Sequence, residues 1–585
     1  MNNKDIEKVN KYKIVILLFI IYLISVFLYF IIGSYDKNLA FIPDERLYIQ
    51  ASKALANRYG LYYNGVKSSF QKIFYSLIIS PAFLVKNLHI QIKLINLLGV
   101  IFGLSSIFPI YLISRKLNLD RIKSIVICLF YLTYPIFLNS LTFMSETAFL
   151  PLWLWSLFLI MNILETEEIQ VLMPVILGVV SYLLYMCKEV GVVAIPVLFF
   201  TKAIFIIKQK ESIKGLVSCF ISAASFLLLF LLGKFLLFDG KSSNYSYDVS
   251  LPNAPESNDK NPIYYLLYAF LFYLGYIILV NCIFPIFIRT KEECLNKKIV
   301  IYLEVAVLVL ICIVVYRISL NEDYGLLSPR LHLRYFEPLF IPYTICFLAR
   351  VNEIDQKEVF NGRYAKLSFV IYLIVLFILP GLNPGGELDA TSTALFLLPE
   401  RIATHFFLGS PRMTVFFNLI MKIIIILIVL FGVKILEKNR KHFYVVFMTF
   451  LFITNIASFL IKYIELKKMY YLPEKYVDEM QIINDGVDDL QGKKLIVVKN
   501  NTRLADITVT LYDINDTDLY LLNEEYNKVD KIITLKAGNS ARKVNIEDYD
   551  YIVYDNNIWE DDERESIPSD KVVLSTDNFF IYDNK

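Results

Sequence analysis

Three acidic and four basic residues at the ends of apolar runs could together activate a hydroxyl group and hold an anion. The acidic residues are Asp44 and Glu45, which follow a proline, and Glu146, which opens an apolar run. A carboxylate can take a proton from a hydroxyl group, and a group of cations can stabilise a phosphate. The basic residues that could form such a group are Lys72, Lys188, Arg330 and Arg334.

The elements that must position these side chains are predicted to be membrane helices. Of the 585 residues, 56% are hydrophobic and only 19% are charged. A soluble protein of this size would carry roughly 25% charged residues, so the solvent is predicted to be lipid. The net charge of +3 is too small to favour a nucleic-acid partner. We therefore expect a polytopic α-helical membrane protein whose constant partner is the lipid bilayer.

Thirteen apolar runs are candidate transmembrane spans. The first, residues 14–34, carries no charge and lacks a small-residue cleavage site, so it is predicted to be an anchor and not a signal peptide. Each run is expected to form a helix, because lipid offers no partners for backbone hydrogen bonds. The spans are predicted at about 14–34, 91–114, 124–144, 145–164, 171–187, 190–207, 215–237, 263–288, 299–317, 332–349, 367–382, 412–433 and 443–464.

The basic residues of the short loops predict the orientation of the chain. They alternate along the sequence so that the N-terminus, with Lys4 and Lys8, is expected in the cytoplasm. The acidic loop at 165–170 is the exception. The chain is predicted to be a multi-pass protein of the plasma membrane. Thirteen crossings from a cytoplasmic N-terminus place its C-terminus outside. The charged residues named above then fall on the extracytoplasmic side, where they could share one cavity.

Two domains are predicted. Residues 1–465 form the transmembrane domain, and its first outside loop, 35–90, holds two amphipathic pieces at 44–59 and 70–85 that are predicted to be juxtamembrane helices. From about residue 466 the composition becomes polar, with short β-rich runs. Residues 466–585 are therefore predicted to be a small extracytoplasmic mixed α/β domain, and they contain no recognisable catalytic motif.

Five segments resemble, in order, the motifs of the GT-C glycosyltransferases. Residues 42–48, Ile-Pro-Asp-Glu-Arg-Leu-Tyr, resemble the Asp-Glu motif of the bacterial branch that contains protein O-mannosyltransferase-like enzymes and the aminoarabinose transferase. The lysine segment lacks the Lys-Pro-Pro of that branch, so the specific sugar does not carry over. The other four segments are Ser69-Phe70-Gln71-Lys72 with Ser80-Pro81, Met144-Ser145-Glu146, Cys187-Lys188-Glu189-Val190-Gly191, and Arg330-Leu-His-Leu-Arg-Tyr-Phe-Glu-Pro338 with Pro342.

The resemblance implies an inverting transfer of a sugar from a polyprenyl-phosphate donor to an extracytoplasmic glycan, lipid or protein acceptor. It implies that Asp44 is the general base and that Glu45 or Glu146 orients the acceptor. The donor phosphate would be held by Lys72, Lys188, Arg330 and Arg334, and the candidate substrate contacts are Tyr48, His332 and Tyr335.

No cofactor is required by the sequence. The seven cysteines and four histidines show no metal-ligand spacing. A divalent cation, Mg²⁺ or Mn²⁺, could nevertheless bridge Asp44 and the phosphate.

Other interpretations of the same residues stay open. Asp44 could only cap the helix that it precedes, Glu146 could only pair with Lys188, and the cations could be headgroup anchors. At the level of function, Glu304 and Lys422 lie within predicted spans, which is typical of a transporter or a flippase for lipid-linked sugars. The other alternative is a polymerase or ligase of an envelope polymer.

Overall fold

The structure is a computed structural model, and its description covers most of the transmembrane part and the strands of the C-terminal part. The described residues are 3–35, 45–56, 62–63, 66–67, 72–141, 143–166, 168–208, 212–238, 267, 270–271, 274, 295–321, 336–353, 370, 373–374, 376, 411–469, 478–479, 481–482, 495–499, 517–521, 532–537, 540–545, 550–555, 572–576 and 579–583.

Helices dominate the described residues up to 469. Three 3₁₀ helices occur among these residues, at Ser80–Leu84, Pro135–Leu141 and Glu189–Val193. The α-helices with described bounds are α1 (Asn3–Tyr35), α2 (Glu45–Ala56), α3 (Phe74–Ile79), α4 (Leu88–Leu104), α5 (Ile107–Lys116), α6 (Arg121–Leu132), α7 (Glu146–Glu165), α8 (Leu172–Cys187), α9 (Ala194–Ile207), α10 (Gly215–Phe238), α11 (Leu295–Asn321), α12 (Glu337–Glu353), α13 (Pro411–Lys438) and α14 (Arg440–Met469).

Several of these helices can cross a bilayer, which agrees with a polytopic membrane protein. Shorter apolar helices lie at Phe74–Leu84, Leu172–Cys187, Pro338–Val351 and Val415–Ile428. The predicted spans 263–288 and 367–382 lie almost entirely outside the described residues. Within the described residues, six stretches are long and apolar enough to span: Tyr12–Gly33, Leu88–Lys116, Glu146–Glu165, Glu189–Ile207, Gly215–Leu236 and His442–Ile464.

The predicted span 124–144 is wrong as a single helix. Helix α6 ends at Leu132, and the chain continues as the 3₁₀ helix Pro135–Leu141. Pro135 explains the break, since proline has no backbone N–H and disfavours the helical conformation at the residue before it. The 3₁₀ segment packs directly on α4, where a Cβ added to Gly99 would lie 3.0 Å from the carbonyl oxygen of Ser140.

Helix α7 is the most enclosed span and is held at both ends. Near its start, a Cβ added to Gly103 of α4 would lie 3.2 Å from Cγ2 of Thr147, so α4 approaches the first turn closely. Near its end, Nζ of Lys298 donates to the carbonyl oxygen of Leu164 at 3.0 Å. A cation at a helix C-terminus is favoured by the helix dipole. Glu146, the first residue of α7, is therefore carried by a fixed helix.

The segment between α1 and α4 contains helices at the two positions where the sequence predicts juxtamembrane helices. Helix α2 lies within the predicted piece 44–59, and α3 with the following 3₁₀ turn occupies most of 70–85. The two pack on each other, because Oγ of Ser76 donates to the carbonyl oxygen of Tyr48 at 3.0 Å and the rings of Tyr48 and Tyr75 meet edge to face at 5.5 Å. The charged faces and apolar spacing of these pieces are local signals, which explains why the sequence predicts them.

The C-terminal part forms a mixed five-stranded sheet and a hairpin. Its strands are β3 (Leu495–Lys499), β4 (Thr517–Leu521), β5 (Ile532–Ala537), β6 (Ser540–Asn545), β7 (Tyr551–Asp555), β8 (Val572–Ser575) and β9 (Phe579–Asp583), while β1 (Tyr62–Tyr63) and β2 (Val66–Lys67) pair with each other between α2 and α3. The sheet order is β4-β3-β7-β9-β8, with β3 parallel to β4 and β7, and with β9 antiparallel to β7 and β8. Strands β5 and β6 form the hairpin.

The C-terminal part touches the transmembrane part at the start of α4. Oε1 of Gln481 accepts a hydrogen bond from the backbone N–H of Leu88 at 2.7 Å, and Nε2 of His89 lies 3.0 Å from Oδ1 of Asp478. Oγ1 of Thr576 in turn donates to Glu479 at 2.8 Å, which ties this segment to the end of β8. The C-terminal part thus lies at the same end of the bundle as the first loop.

Candidate active site

Two ion pairs form a row of four charged side chains at this end of the bundle. Nζ of Lys188 contacts Oε1 of Glu146, and Nζ of Lys72 contacts Oε1 of Glu189. Because Lys188 and Glu189 are neighbours in the chain, we refer to the two pairs together as the row, in the order Lys72, Glu189, Lys188 and Glu146. The pair of Lys188 and Glu146 is the deeper one, with side-chain exposures of 12% and 5%.

A tight turn after α8 presents Lys188 and Glu189. Lys188 is extended, with φ −153° and ψ 142°, while its backbone N–H donates to the carbonyl oxygen of Leu184 at 2.8 Å. The backbone N–H of Gly191 then donates to the carbonyl oxygen of Lys188 at 2.9 Å. A Cβ added to Gly191 would lie 2.6 Å from the carbonyl carbon of Leu184, a distance that side chains do not tolerate. Only glycine fits the turn that carries the row's two central charges.

Glu146 opens α7, where the helix dipole favours a carboxylate. The preceding residue, Ser145, is fully buried and accepts a hydrogen bond from the hydroxyl of Tyr48 at 2.8 Å. Tyr48 itself is buried, with 7% of its surface exposed. The structure thus places this predicted substrate contact in a hydrogen bond that joins the juxtamembrane helix α2 to the start of α7.

A small pocket lies over the deeper ion pair. Glu146 and Lys188 line it together with Pro338, which belongs to the fifth sequence motif. The remaining lining residues are apolar, so the pair is largely shielded from water. A charge pair in such surroundings is strongly coupled, since removal of one charge takes a close partner from a buried group. The other lining residues are Ile136, Phe149, Leu150 and Val190.

Residues from all five sequence motifs therefore meet at one place. Their described members there are Tyr48, Lys72, Glu146, Lys188 and Pro338. The backbone of Glu45 forms the first residue of α2, so Asp44 directly precedes that helix. The predicted site residues that lie outside the described residues are Asp44, Arg330, His332, Arg334 and Tyr335, along with the side chain of Glu45, and their roles stay predictions.

Glu189 is a member of the row for which no role is predicted from the sequence. A signal for it exists, because Lys188 and Glu189 together interrupt a mostly apolar stretch from 171 to 207 whose other charged residue is Lys202. Two adjacent charges of opposite sign at membrane depth are costly unless each has a partner. The sequence gives no indication, however, that the partner of Glu189 is Lys72.

A divalent cation finds little support among the described carboxylates of the row. Glu146 and Glu189 each contact a lysine ammonium, which would repel a bound metal ion. Among the described residues, no group of three or more His, Cys, Asp or Glu side chains could hold a metal ion. A metal site that includes Asp44 lies beyond the residues so described.

No protein-family profile matches the chain, and no curated protein sequence matches it. The chain is similar in structure to ArnT from Cupriavidus metallidurans bound to undecaprenyl phosphate, at 11% identity, 98% coverage of both chains and a TM-score of 0.46. The same ArnT in the apo state gives a TM-score of 0.47 at 11% identity and the same coverage.

A second similar structure is the archaeal oligosaccharyltransferase AglB from Archaeoglobus fulgidus in complex with an inhibitory peptide and a dolichol-phosphate. It shows 12% identity, covers 93% of this chain and 70% of that chain, and has a TM-score of 0.42. Another structure of that enzyme holds Zn and sulfate. ArnT and AglB are both members of the GT-C superfamily, which the sequence motifs resemble. Because every one of these TM-scores is below 0.5, the function proposed below rests on the contacts within this chain.

Proposed function

We propose that this protein is a membrane glycosyltransferase of the GT-C type that transfers a sugar from a polyprenyl-phosphate donor to an extracytoplasmic glycan, lipid or protein acceptor. One observation carries the proposal: residues of five separate motifs meet at a row of paired carboxylates and ammonium groups at one end of the helix bundle. A scaffold without catalysis has no need for such a buried and costly arrangement.

The reaction assigned to the site is a displacement at the anomeric carbon of the sugar. The bond from that carbon to the phosphate oxygen breaks, a bond to the acceptor oxygen forms on the opposite face, and the acceptor proton passes to Asp44. The phosphate leaves as an anion, so no general acid is needed at the leaving oxygen. Cations at Lys72, Arg330 and Arg334 would stabilise that anion, with arginine suited to bidentate contact.

The geometry favours a division of labour between the acidic residues. Glu146 is buried and held by Lys188, so it could take a proton only by giving up that ion pair. We assign Glu146 to orienting the acceptor and Asp44 to taking its proton. Asp44 would also be the ligand of a divalent cation, if the enzyme uses Mg²⁺ or Mn²⁺.

The site is assigned to the outer face of a plasma membrane, with the N-terminus in the cytoplasm. The contact of Gln481 with Leu88 supports a C-terminal domain, 466–585, on the same side as the site. We assign this domain to acceptor docking, because its sequence contains no catalytic motif. Truncation after residue 466 should then impair transfer to the acceptor more than binding of the lipid donor, and equal loss of both in a folded protein would contradict this role.

The deciding experiment is a transfer assay with purified protein and either a polyprenyl-phosphate sugar or a nucleotide sugar. Asp44→Asn should lose about 100-fold or more of turnover, the usual effect of removing a positioned base. The helix start should survive in this variant, because asparagine caps helices about as well as aspartate. Transfer from the nucleotide sugar alone, or full activity of the folded Asn variant, would contradict the proposal.

One observation favours a flippase as a second candidate. Lys422 on α13 is only 7% exposed although it lies within an apolar span, and Glu304 on α11 is half-buried. Charges at such depth often mark a transport path. A flippase would move lipid-linked sugar across a vesicle bilayer without consuming it, whereas an envelope polymerase or ligase would extend a polymer. Product analysis in reconstituted vesicles separates these outcomes from single-sugar transfer.

A further inference from the structure

Each of the two described lysines assigned to the donor phosphate is already in contact with a carboxylate. Lys72 contacts Glu189, and Lys188 contacts Glu146. A phosphate that arrives at this row must therefore compete with a carboxylate for whichever lysine it binds. We propose that Glu189 is a positioning residue that holds Lys72 while the donor is absent and yields it to the donor phosphate, an inference that rests on the proposed function.

The burial of the two pairs decides which lysine is exchanged. Side-chain exposures are 16% for Lys72 and 29% for Glu189, against 12% for Lys188 and 5% for Glu146. The contacting oxygen of Glu189 is buried, but the rest of its side chain is the most exposed of the four, and a partly exposed ion pair is weaker than a buried one. The deeper pair is more costly to separate, because both of its charges would lose a partner in buried surroundings. Lys72 is therefore the exchangeable cation, and Lys188 stays with Glu146 as a support.

The backbone supports an exchange that needs only side-chain rotation. Glu189 is the first residue of the 3₁₀ helix Glu189–Val193, which the tight turn at Gly191 fixes against α8. Lys72 directly precedes the buried residue Ile73 and helix α3, which packs against α8. The backbone segments of Lys72 and Glu189 are thus both held against α8, so the exchange of partners involves only the side chains.

The sign of the charges makes the inference testable by affinity. Within the row, each described lysine is in contact with one carboxylate. Removal of the Glu189 charge leaves the donor phosphate without its competitor for Lys72. Affinity for a phosphate should then increase, whereas a merely structural role for Glu189 would predict a decrease or no change.

The experiment measures binding of undecaprenyl phosphate, without sugar, to the full-length protein in detergent micelles. Glu189→Gln should bind about tenfold more tightly than wild type, the size of a typical coupling between contacting charged residues. Lys72→Gln should bind more weakly, and Glu189→Gln added to Lys72→Gln should have no further effect. Glu189→Asp, which keeps the charge, should bind about as wild type does.

The outcomes separate this inference from the function on which it rests. Unchanged or weaker binding by Glu189→Gln, with a wild-type thermal midpoint, overturns the exchange at Lys72 while leaving the glycosyltransferase assignment intact. A gain that persists in the Lys72→Gln background overturns it too, since the competition would then not be for Lys72. If Glu189→Gln does not fold, weaker binding by Glu189→Asp than by wild type overturns it. Undetectable binding by wild type and every variant contradicts the proposed function itself.

Discussion

The hydroxyl of Tyr48 donates a hydrogen bond to the hydroxyl of Ser145 across 2.8 Å, although 97 residues separate the two in the sequence. Both groups are buried, and the bond joins the helix that follows Asp44 to the residue that precedes Glu146. A contact between two uncharged side chains thus joins α2 to the start of α7, where Glu146, the proposed acceptor-orienting carboxylate, lies.

Tyr48→Phe should keep the ring contact with Tyr75 but leave the hydroxyl of Ser145 without this donor. We expect a loss of about 1 kcal/mol in the free energy of unfolding, the usual net value of a hydrogen bond. Transfer should fall more than that stability loss explains, because α2 is no longer tied to α7. The matched control is Tyr22→Phe, which removes a hydrogen bond to Ile101 at 2.7 Å. Equal transfer by both variants would show that the Tyr48 contact is only structural.

For the ion pair of Lys188 and Glu146, we expect that the stability losses of the two single variants do not add in the double variant. Lys188→Met or Glu146→Gln alone should destabilise the protein by about 3 kcal/mol, because the remaining charge stays buried and has lost this partner. The double variant should recover most of that stability, since neither charge of the pair then remains. It should not recover transfer if Glu146 orients the acceptor. Thermal midpoints in detergent and acceptor KM values test the two statements, and additive losses of stability would argue against a coupled pair.

We expect a side chain at position 191 to clash with α8, and Gly33 offers a matched control. Gly191→Ala places a methyl group against the backbone of Leu184, so the turn must move and stability should fall by about 1–3 kcal/mol. At Gly33 the nearest atom is Cδ2 of the flexible Leu141 side chain, 2.9 Å from the added Cβ. Gly33→Ala should therefore cost less. The thermal midpoints of both variants decide the matter, and donor binding should fall only for Gly191→Ala.

Asp120 lies at the start of α6, at the other end of the bundle from the candidate active site. We expect this helix start to be sensitive to acid. The side chain of Asp120 accepts from the backbone N–H of Lys123 at 2.8 Å and caps α6. Partial burial raises the pKa of Asp120. The backbone and side-chain hydrogen bonds and the charge of Lys123 together lower this pKa by more than burial raises it, so the pKa lies below its usual value. A depressed pKa in the folded state means that the stabilisation is complete above the unfolded value, about 3.9, and is lost as the pH falls through the folded value.

The measurement for Asp120 is the thermal midpoint between about pH 6 and pH 3, compared with Asp120→Asn. Asparagine keeps the cap but cannot be protonated, so the variant should show a smaller loss at the acid end. Parallel curves for the two proteins would contradict a contribution of the Asp120 charge.

Topology can be tested across a single crossing. Helices α4 and α5 together span Leu88–Lys116, so His89 and Arg121 are expected on opposite sides of the membrane. Single cysteines at these two positions, in a background without other cysteines, should react with an impermeant thiol reagent from the outside at 89 and from the inside at 121. The reverse pattern would place the site in the cytoplasm and would exclude an extracytoplasmic acceptor.

Local signals account for what the sequence could predict. The amphipathic spacing of α2 and the adjacent charges at Lys188 and Glu189 are readable without knowledge of the fold, and both elements occur where they are expected. The early end of α6 is different, because the apolar run around it outweighs Pro135 in any estimate of span length. Strand β6, Ser540–Asn545, is too polar to read as a strand and forms by pairing with β5.

The partners within the site could not be predicted in the same way. Lys72 and Glu189 lie on different elements, and no spacing rule relates a residue before α3 to one after α8. The charges required partners on energetic grounds, but the packing of α3 on α8 selects which partner each one receives.

The hydrogen bond from Leu88 to Gln481 links residues 393 positions apart, which has a consequence for the order of biosynthesis. The first orphan N–H of α4 receives its protein acceptor only after nearly the whole chain has left the ribosome. Until then the transmembrane helices can insert and pack, but this end of α4 stays open to water. A ribosome stalled before residue 481 would therefore leave an inserted bundle in which the start of α4 lacks its protein acceptor, and a segment made late in synthesis would complete one of the first helices to enter the membrane.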